Sequence, residues 1–134
     1  MTIQSEDNAV ETVLVVEHEV MVRLAISEYL RHCGYRVIEA ISAEEAITVL
    51  SSDDITVEVI FSAAELGEGM NGFALSKWVR DHKTGIEVIL AGTAEKSAHE
   101  ASDLCEEGPH LKKPYEPSQV VDWIKRLRNL KRPK

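Results

Sequence analysis

Four short stretches of the chain hold the residue types that can do chemistry: Glu17-His18-Glu19, Ser62 to Glu65, Ala91 to Thr93, and Lys112-Lys113-Pro114. A carboxylate beside an imidazole, as at Glu17-His18, suits a transition metal or a phosphoryl group on histidine. It suits magnesium poorly, because magnesium prefers hard oxygen ligands. Glu65 adds a second carboxylate, Thr93 a hydroxyl, and Lys113 a cation that can pair with Glu17. Each also has a plainer reading: a Glu17–Lys113 ion pair, a solvated Glu65 beside the loop glycines Gly67 and Gly69, and a His18 with no ligand role.

These stretches matter because of the elements that precede them. Residues 1–11 are polar and aperiodic and read as a flexible arm. Thr12 to Val16 is a short, uniformly apolar run, which predicts a strand buried on both faces. A helix is expected from Glu19 to Cys33, stopped by Gly34, and a second strand from Tyr35 to Ala40. Ser42 and Glu45 have the spacing of a capping box, opening a second helix to about Ser51. Thr56 to Phe61 reads as the third strand, Ala63 to Gly72 as a loop, Phe73 to Asp81 as the third helix, and Glu87 to Leu90 as the fourth strand. Ala94 to Glu106 has helix formers but a thin apolar stripe. His110 to Lys112 predicts a fifth strand, and Pro117 opens a last helix carrying Val120, Val121, Ile124 and Leu127.

Five strand–helix units with apolar strands predict an α/β fold, a doubly wound parallel sheet with helices on both faces. Ligand chemistry then belongs at the carboxyl ends of the strands, where the four stretches fall. Asp53 and Asp54, the only adjacent aspartates, fall at the opposite end and read as a turn.

The 134 residues fit one domain, expected over 12–130 with a basic tail at 131–134, and no apolar run approaches a membrane span. The net charge is −8, yet six of the fifteen basic residues lie in the last ten positions. The rest of the chain carries nine basic against twenty-three acidic residues, a balance of −14. So acidic a body argues against non-specific binding to nucleic acid or an anionic membrane as the main role, since both require neutralised phosphate. Lys125 to Lys134 complements a helix C-terminal dipole. Cys33 and Cys105 sit in no metal-binding spacing and read as helix-packing residues of a reduced compartment, without a structural metal. With no basic n-region and apolar h-region at the start, the expected location is cytoplasmic.

Val13-Leu14-Val15-Val16-Glu17-His18-Glu19, Gly34-Tyr35-Arg36-Val37, Gly69-Met70-Asn71-Gly72 and Leu111-Lys112-Lys113-Pro114-Tyr115 together resemble the receiver domain of bacterial response regulators. The likeness runs from about Thr12 to Leu130 and is greatest to short stand-alone receivers. It implies a flavodoxin-like (βα)5 sheet in the order 2-1-3-4-5 and phosphorylation by a sensor histidine kinase. In that family an acidic pair after strand one holds magnesium and an aspartate ending strand three takes the phosphoryl group. A Ser/Thr after strand four and a lysine after strand five contact it.

Carried over by position, the acidic pair becomes Glu17 and His18, and the phosphoacceptor falls on Ala63. A shift of one residue would give Ser62 or Ala64, neither a carboxylate. The hydroxyl position falls on Ala91 or Gly92, with Thr93 adjacent. Lys113 is retained before Pro114, for which the resemblance implies a cis peptide, and the aromatic switch position falls on His110. The resemblance therefore implies a degenerate receiver that is not an enzyme, has no cofactor beyond weak Mg2+ at most, and acts through protein contacts. A surface with Trp123, Arg126 and Leu130 on the last helix is its expected contact, toward a kinase, another response regulator or a second copy. The rival expectation is phosphorylation at a non-standard residue such as His18 or Glu65; a third is an antiterminator-like nucleic-acid role for the basic tail.

Overall fold

The computed structural model describes residues 10–107, 119, 121, 122, 124 and 125. Within them the order is β1 (Thr12–Val16), α1 (Val20–His32), β2 (Arg36–Ala40), α2 (Ala43–Leu50), β3 (Val59–Ala63), α3 (Gly72–His82), β4 (Glu87–Ala91) and α4 (Ala94–Glu107). The strands form a parallel sheet in the order β2-β1-β3-β4. The expected fifth strand and its place in the order lie outside the described residues, as do the 1–9 part of the arm and the tail. Among the described residues no helix is long and apolar enough to cross a membrane.

All five residues of β1 are buried, as expected of a central strand covered on both sides. Their side chains alternate between two cores. Val13 and Val15 join Val59 and Phe61 beneath α1 and α4. Leu14 and Val16 join Ile60 and the buried faces of α2 and α3. Helices therefore cover both faces of the sheet.

α1 buries Val22, Ala25, Ile26, Tyr29 and Leu30, one stripe at helical spacing. It is bound to β2 by Glu39, whose carboxylate meets Arg23 Nε and Arg31 Nη2, each at 3.1 Å. Gly34, at φ +101°, ends the helix: its N–H donates to the Arg31 carbonyl and that of Tyr35 to the Leu30 carbonyl. That pairing is a Schellman cap, and the left-handed position calls for glycine. α2 begins with the predicted cap, the Glu45 N–H donating to Ser42 Oγ at 3.0 Å. The Glu45 carboxylate reaches one residue further back than expected, to the Ile41 N–H at 2.7 Å.

β3 starts and ends later than the sequence suggests. Its apolar run begins at Thr56, but Glu58 sits before the ladder, its N–H on the Thr12 carbonyl and its carboxylate accepting from the Thr12 N–H. The ladder continues through Ser62, beside Val16, and Ala63, beside Ala91. Small residues disguised the end of the strand as loop. Asp53 and Asp54 lie in a turn, as expected.

α3 opens where the chain comes closest to β3. Asn71 caps it, accepting from the Ala74 N–H at 2.9 Å, and the Gly72 N–H donates to the Ala64 carbonyl at 2.9 Å. A Cβ on Gly72 would overlap the Ala63 carbonyl oxygen and stand 3.0 Å from Ala64 Cα. Both obstacles are backbone and cannot swing away.

The two cysteines depart from expectation. Cys33, at the C-cap of α1, and Cys105, in the last turn of α4, form a disulfide with Cα atoms 5.7 Å apart. They are buried as predicted, at 1% and 2% exposure, but as a covalent pair and not as two packing thiols. A separation of 72 positions and the lack of any local motif hid the pairing from the sequence.

Gly72→Ala is expected to lower stability by about 2 kcal/mol or more, the cost of forcing atoms into a packed site. Gly92→Ala, where a Cβ meets nothing within 4 Å, should be nearly neutral. Urea unfolding followed by circular dichroism compares the two; equal midpoints would contradict the close-approach account of Gly72.

Candidate functional site

The carboxyl ends of β1, β3 and β4 surround a cleft of about 300 Å3. Glu17 and Glu19 form one wall, just past β1. Ala63 forms the floor at the end of β3, with Glu65 two residues on. Ala91, Gly92 and Thr93 complete the β4 side, and the first turn of α4 closes it with Ala94 and Ser97. Five of the predicted residues, Glu17, Ala63, Glu65, Ala91 and Gly92, thus meet in one place.

His18 does not join them. Glu17 lines the cleft, whereas His18 is not among its lining residues; the His18 side chain is 44% exposed and packed near Gly67. Its Nδ1 stands 3.6 Å from Glu17 Oε2. Glu17 is mostly buried and its Oε2 accepts a hydrogen bond from the Glu19 backbone N–H at 3.0 Å. The backbone behind it is held too: the Glu17 carbonyl accepts from Arg23 Nη1 at 3.1 Å and its N–H donates to the Ala40 carbonyl.

At the end of β3 the side chain facing the cleft is a methyl group. The neighbouring Ser62 hydroxyl is fully buried and donates to the Ala63 carbonyl at 2.9 Å, and Ala64 brings no functional group. Ala63 pairs with Ala91, and the Ala64 N–H donates to the Ala91 carbonyl at 2.9 Å, so β3 and β4 are tied across the cleft floor. Thr93 supplies the nearest β4 hydroxyl, which caps α4 by accepting from the Lys96 N–H at 3.0 Å.

Electrostatically the described lining holds three carboxylates, Glu17, Glu19 and Glu65, and no basic side chain. Among the described residues no three of His, Cys, Asp and Glu converge as metal ligands. The donor set does not fit a magnesium ion, because Ala63 has no oxygen in its side chain and His18 offers only ring nitrogens and does not line the cleft.

Glu19 and Ser97 are cleft residues that the sequence did not single out. Glu19 lay within the first stretch, and Ser97 follows Thr93 by four positions, hence on the same helical face. Lys113, Pro114 and the switch position His110 lie outside the described residues, and so do Trp123, Arg126 and Leu130.

A parallel sheet with its cleft at the carboxyl ends and an acidic first corner is the architecture expected from the sequence motifs, and comparison with known proteins agrees. The family model described as "Response regulator receiver domain" matches residues 13–125. The chain belongs to that family, the receiver domains of two-component response regulators.

Among solved structures it is similar to a putative response regulator from Chloroflexus aurantiacus, at 26% identity, covering 87% of this chain and 96% of that one with a TM-score of 0.57. It is also similar to the response regulator TrrA from Thermotoga maritima, solved in complex with Mg2+ and BeF, at 23% identity, 87% and 98% coverage and a TM-score of 0.58. A CheY-like receiver domain protein from Methanospirillum hungatei gives 19% identity, 91% and 97% coverage and a TM-score of 0.58. A search of curated proteins finds no significant match.

Thr93→Ala removes the cap of α4 at the cleft and is expected to cost about 1 kcal/mol, whereas Thr93→Ser, which keeps the oxygen, should cost little. Thermal unfolding of the two variants checks this; an equal loss in both would mean that the methyl group, and not the cap, matters.

Proposed function

We propose that this receiver is a degenerate one that signals without being phosphorylated in the family's manner, through protein–protein contacts. The observation that carries this reading is Ala63. It ends β3 on the floor of the cleft, the position where the resemblance places the acceptor aspartate, and it offers only a methyl group. Phosphoryl transfer to a receiver needs a carboxylate nucleophile and a cation to balance charge on the equatorial oxygens. Neither flanking residue supplies the nucleophile, and His18, in place of the second acid, is not among the residues lining the cleft.

On this reading Mg2+ binds weakly at most and no catalytic residue is present. Lys113 and Pro114 are remnants of the family site, and His110 replaces the aromatic switch. The partners proposed are a sensor histidine kinase or another response regulator, in a bacterial cytoplasm. Contact runs through the last helix at Trp123, Arg126 and Leu130, the surface through which a homodimer would also form. A nucleic-acid role is disfavoured by the acidic balance of the body.

The rival acceptor that the geometry favours is Glu65, which lines the cleft, over His18, which does not. Incubation with acetyl phosphate and Mg2+ followed by intact mass is expected to show no phosphoryl adduct. Amide NMR with beryllofluoride is expected to show no saturable shift at Glu17 or Ala63. An adduct that disappears in Glu65→Ala would replace this proposal with an unusual acyl phosphate. One that disappears in His18→Ala would point to phosphohistidine.

A further inference from the structure

The Cys33–Cys105 disulfide joins α1 and α4, the two helices that share one face of the sheet. The α4 residues fully buried in the core on that face are small, Ala98, Ala101 and Cys105, while Ala94 and Leu104 pack against it partly buried. Side chains of that size bury little apolar area, so the contact contributes little per residue. Polar pairing is also incomplete. Ser102 Oγ on α4 and Ser27 Oγ on α1 are both buried and have no hydrogen-bond partner among the described residues. Such groups weaken a helix contact. A polar tie joins the segment after α1 to α4: the Tyr35 hydroxyl donates to the Leu104 carbonyl at 2.8 Å.

The other end of the same helix borders the cleft. Thr93 caps α4, and Ala94 and Ser97 in its first turn line the wall opposite Glu17. α4 therefore connects the disulfide to the cleft as one rigid rod of 14 residues.

We propose that Cys33–Cys105 is a redox switch: reduction releases the C-terminal half of α4 from α1 and thereby loosens the α4 wall of the cleft. This goes beyond the proposed signalling role and holds whatever occupies the cleft. The reductant is a dithiol. One of its thiolates attacks a protein sulfur, breaking the Cys33–Cys105 bond and forming a mixed disulfide. The other protein sulfur leaves as a thiolate, and the second thiolate of the dithiol then attacks the dithiol's own sulfur in the mixed disulfide and displaces the protein sulfur held there. The dithiol leaves as a cyclic disulfide, having given up two electrons and two protons, and the protein gains two thiols. Both sulfurs lie at helix ends, Cys33 at the α1 C-cap and Cys105 two residues before the end of α4, where local opening exposes them.

Hydrogen exchange of the full chain, read by mass spectrometry in oxidised and reduced dithiothreitol, tests the switch. Reduction is expected to speed exchange of the 94–107 amides about tenfold or more, with β1 and β3 amides unchanged. The double variant Cys33→Ser with Cys105→Ser should reproduce the reduced pattern without dithiothreitol. Unchanged protection of α4 on reduction would overturn the proposal, since the bond would then hold nothing in place. Loss of protection throughout the domain would overturn it too, by making the bond a global staple. So would the finding that both cysteines alkylate in protein kept free of reductant and do not pair under oxidised glutathione.

Discussion

At Gly72 the backbone of α3 passes so close to the end of β3 that no side chain fits between them. The Gly72 N–H donates to the Ala64 carbonyl, and the Ala64 N–H donates to the Ala91 carbonyl of β4. Residue 64 is thereby held from both sides, and with it Ala63, the last residue of the strand. Where β3 stops decides which side chain faces the cleft. The loop from Glu65 to Asn71 is fixed by the same contact, with help from Glu44, whose carboxylate accepts from the Met70 N–H at 3.2 Å. Position 63 is thus a place the fold specifies tightly and then fills with a methyl group.

The first corner of the cleft follows a similar logic of backbone first. Arg23 reaches from α1 to both the Glu17 carbonyl and the Glu39 carboxylate, so it ties the end of β1 to β2. Glu39 is partly buried and bracketed by two arginines, a geometry in which ion pairs contribute more than isolated surface pairs do. Glu17 is consequently held in register with the sheet, while its side chain satisfies the Glu19 N–H. The acidic corner persists as a structural feature: its carboxylate caps a turn of its own chain, a role that requires no metal.

Much of this was legible in the residues. β1 declared itself by uniform burial-prone residues, α2 by Ser42 and Glu45, and the weakness of the α4 stripe by its alanines and serines. The family was legible because its motifs are local and ordered along the chain, and the match over residues 13–125 agrees. What could not be read depends on spacing across the fold. Ser62 and Ala63 are small and polar or neutral, so composition gave them to a loop, although pairing with Val16 and Ala91 makes them strand. Glu17 and His18 look like a pair of site residues in sequence, yet Glu17 lines the cleft and His18 does not. Nothing local marks Cys33 and Cys105 as partners, because their meeting depends on which face of the sheet α4 occupies.

That last dependence bears on how a receiver without its acceptor can still have states. In a phosphorylated receiver the charge of one phosphoryl group in the cleft supplies the differential interaction between two conformations. On the proposed reading the cleft does not supply it and another group must, since an equilibrium shifts only by a difference in interaction with its two states. α4 is the element on which such a group can act, because its first turn borders the cleft at Ala94 and Ser97 and its last turn carries Cys105 in the core shared with α1. A covalent bond acts where packing is weak, and here it acts at the far end of the same helix. On the proposed switch, the chemical event that reaches the cleft wall is moved from a carboxylate to a pair of sulfurs.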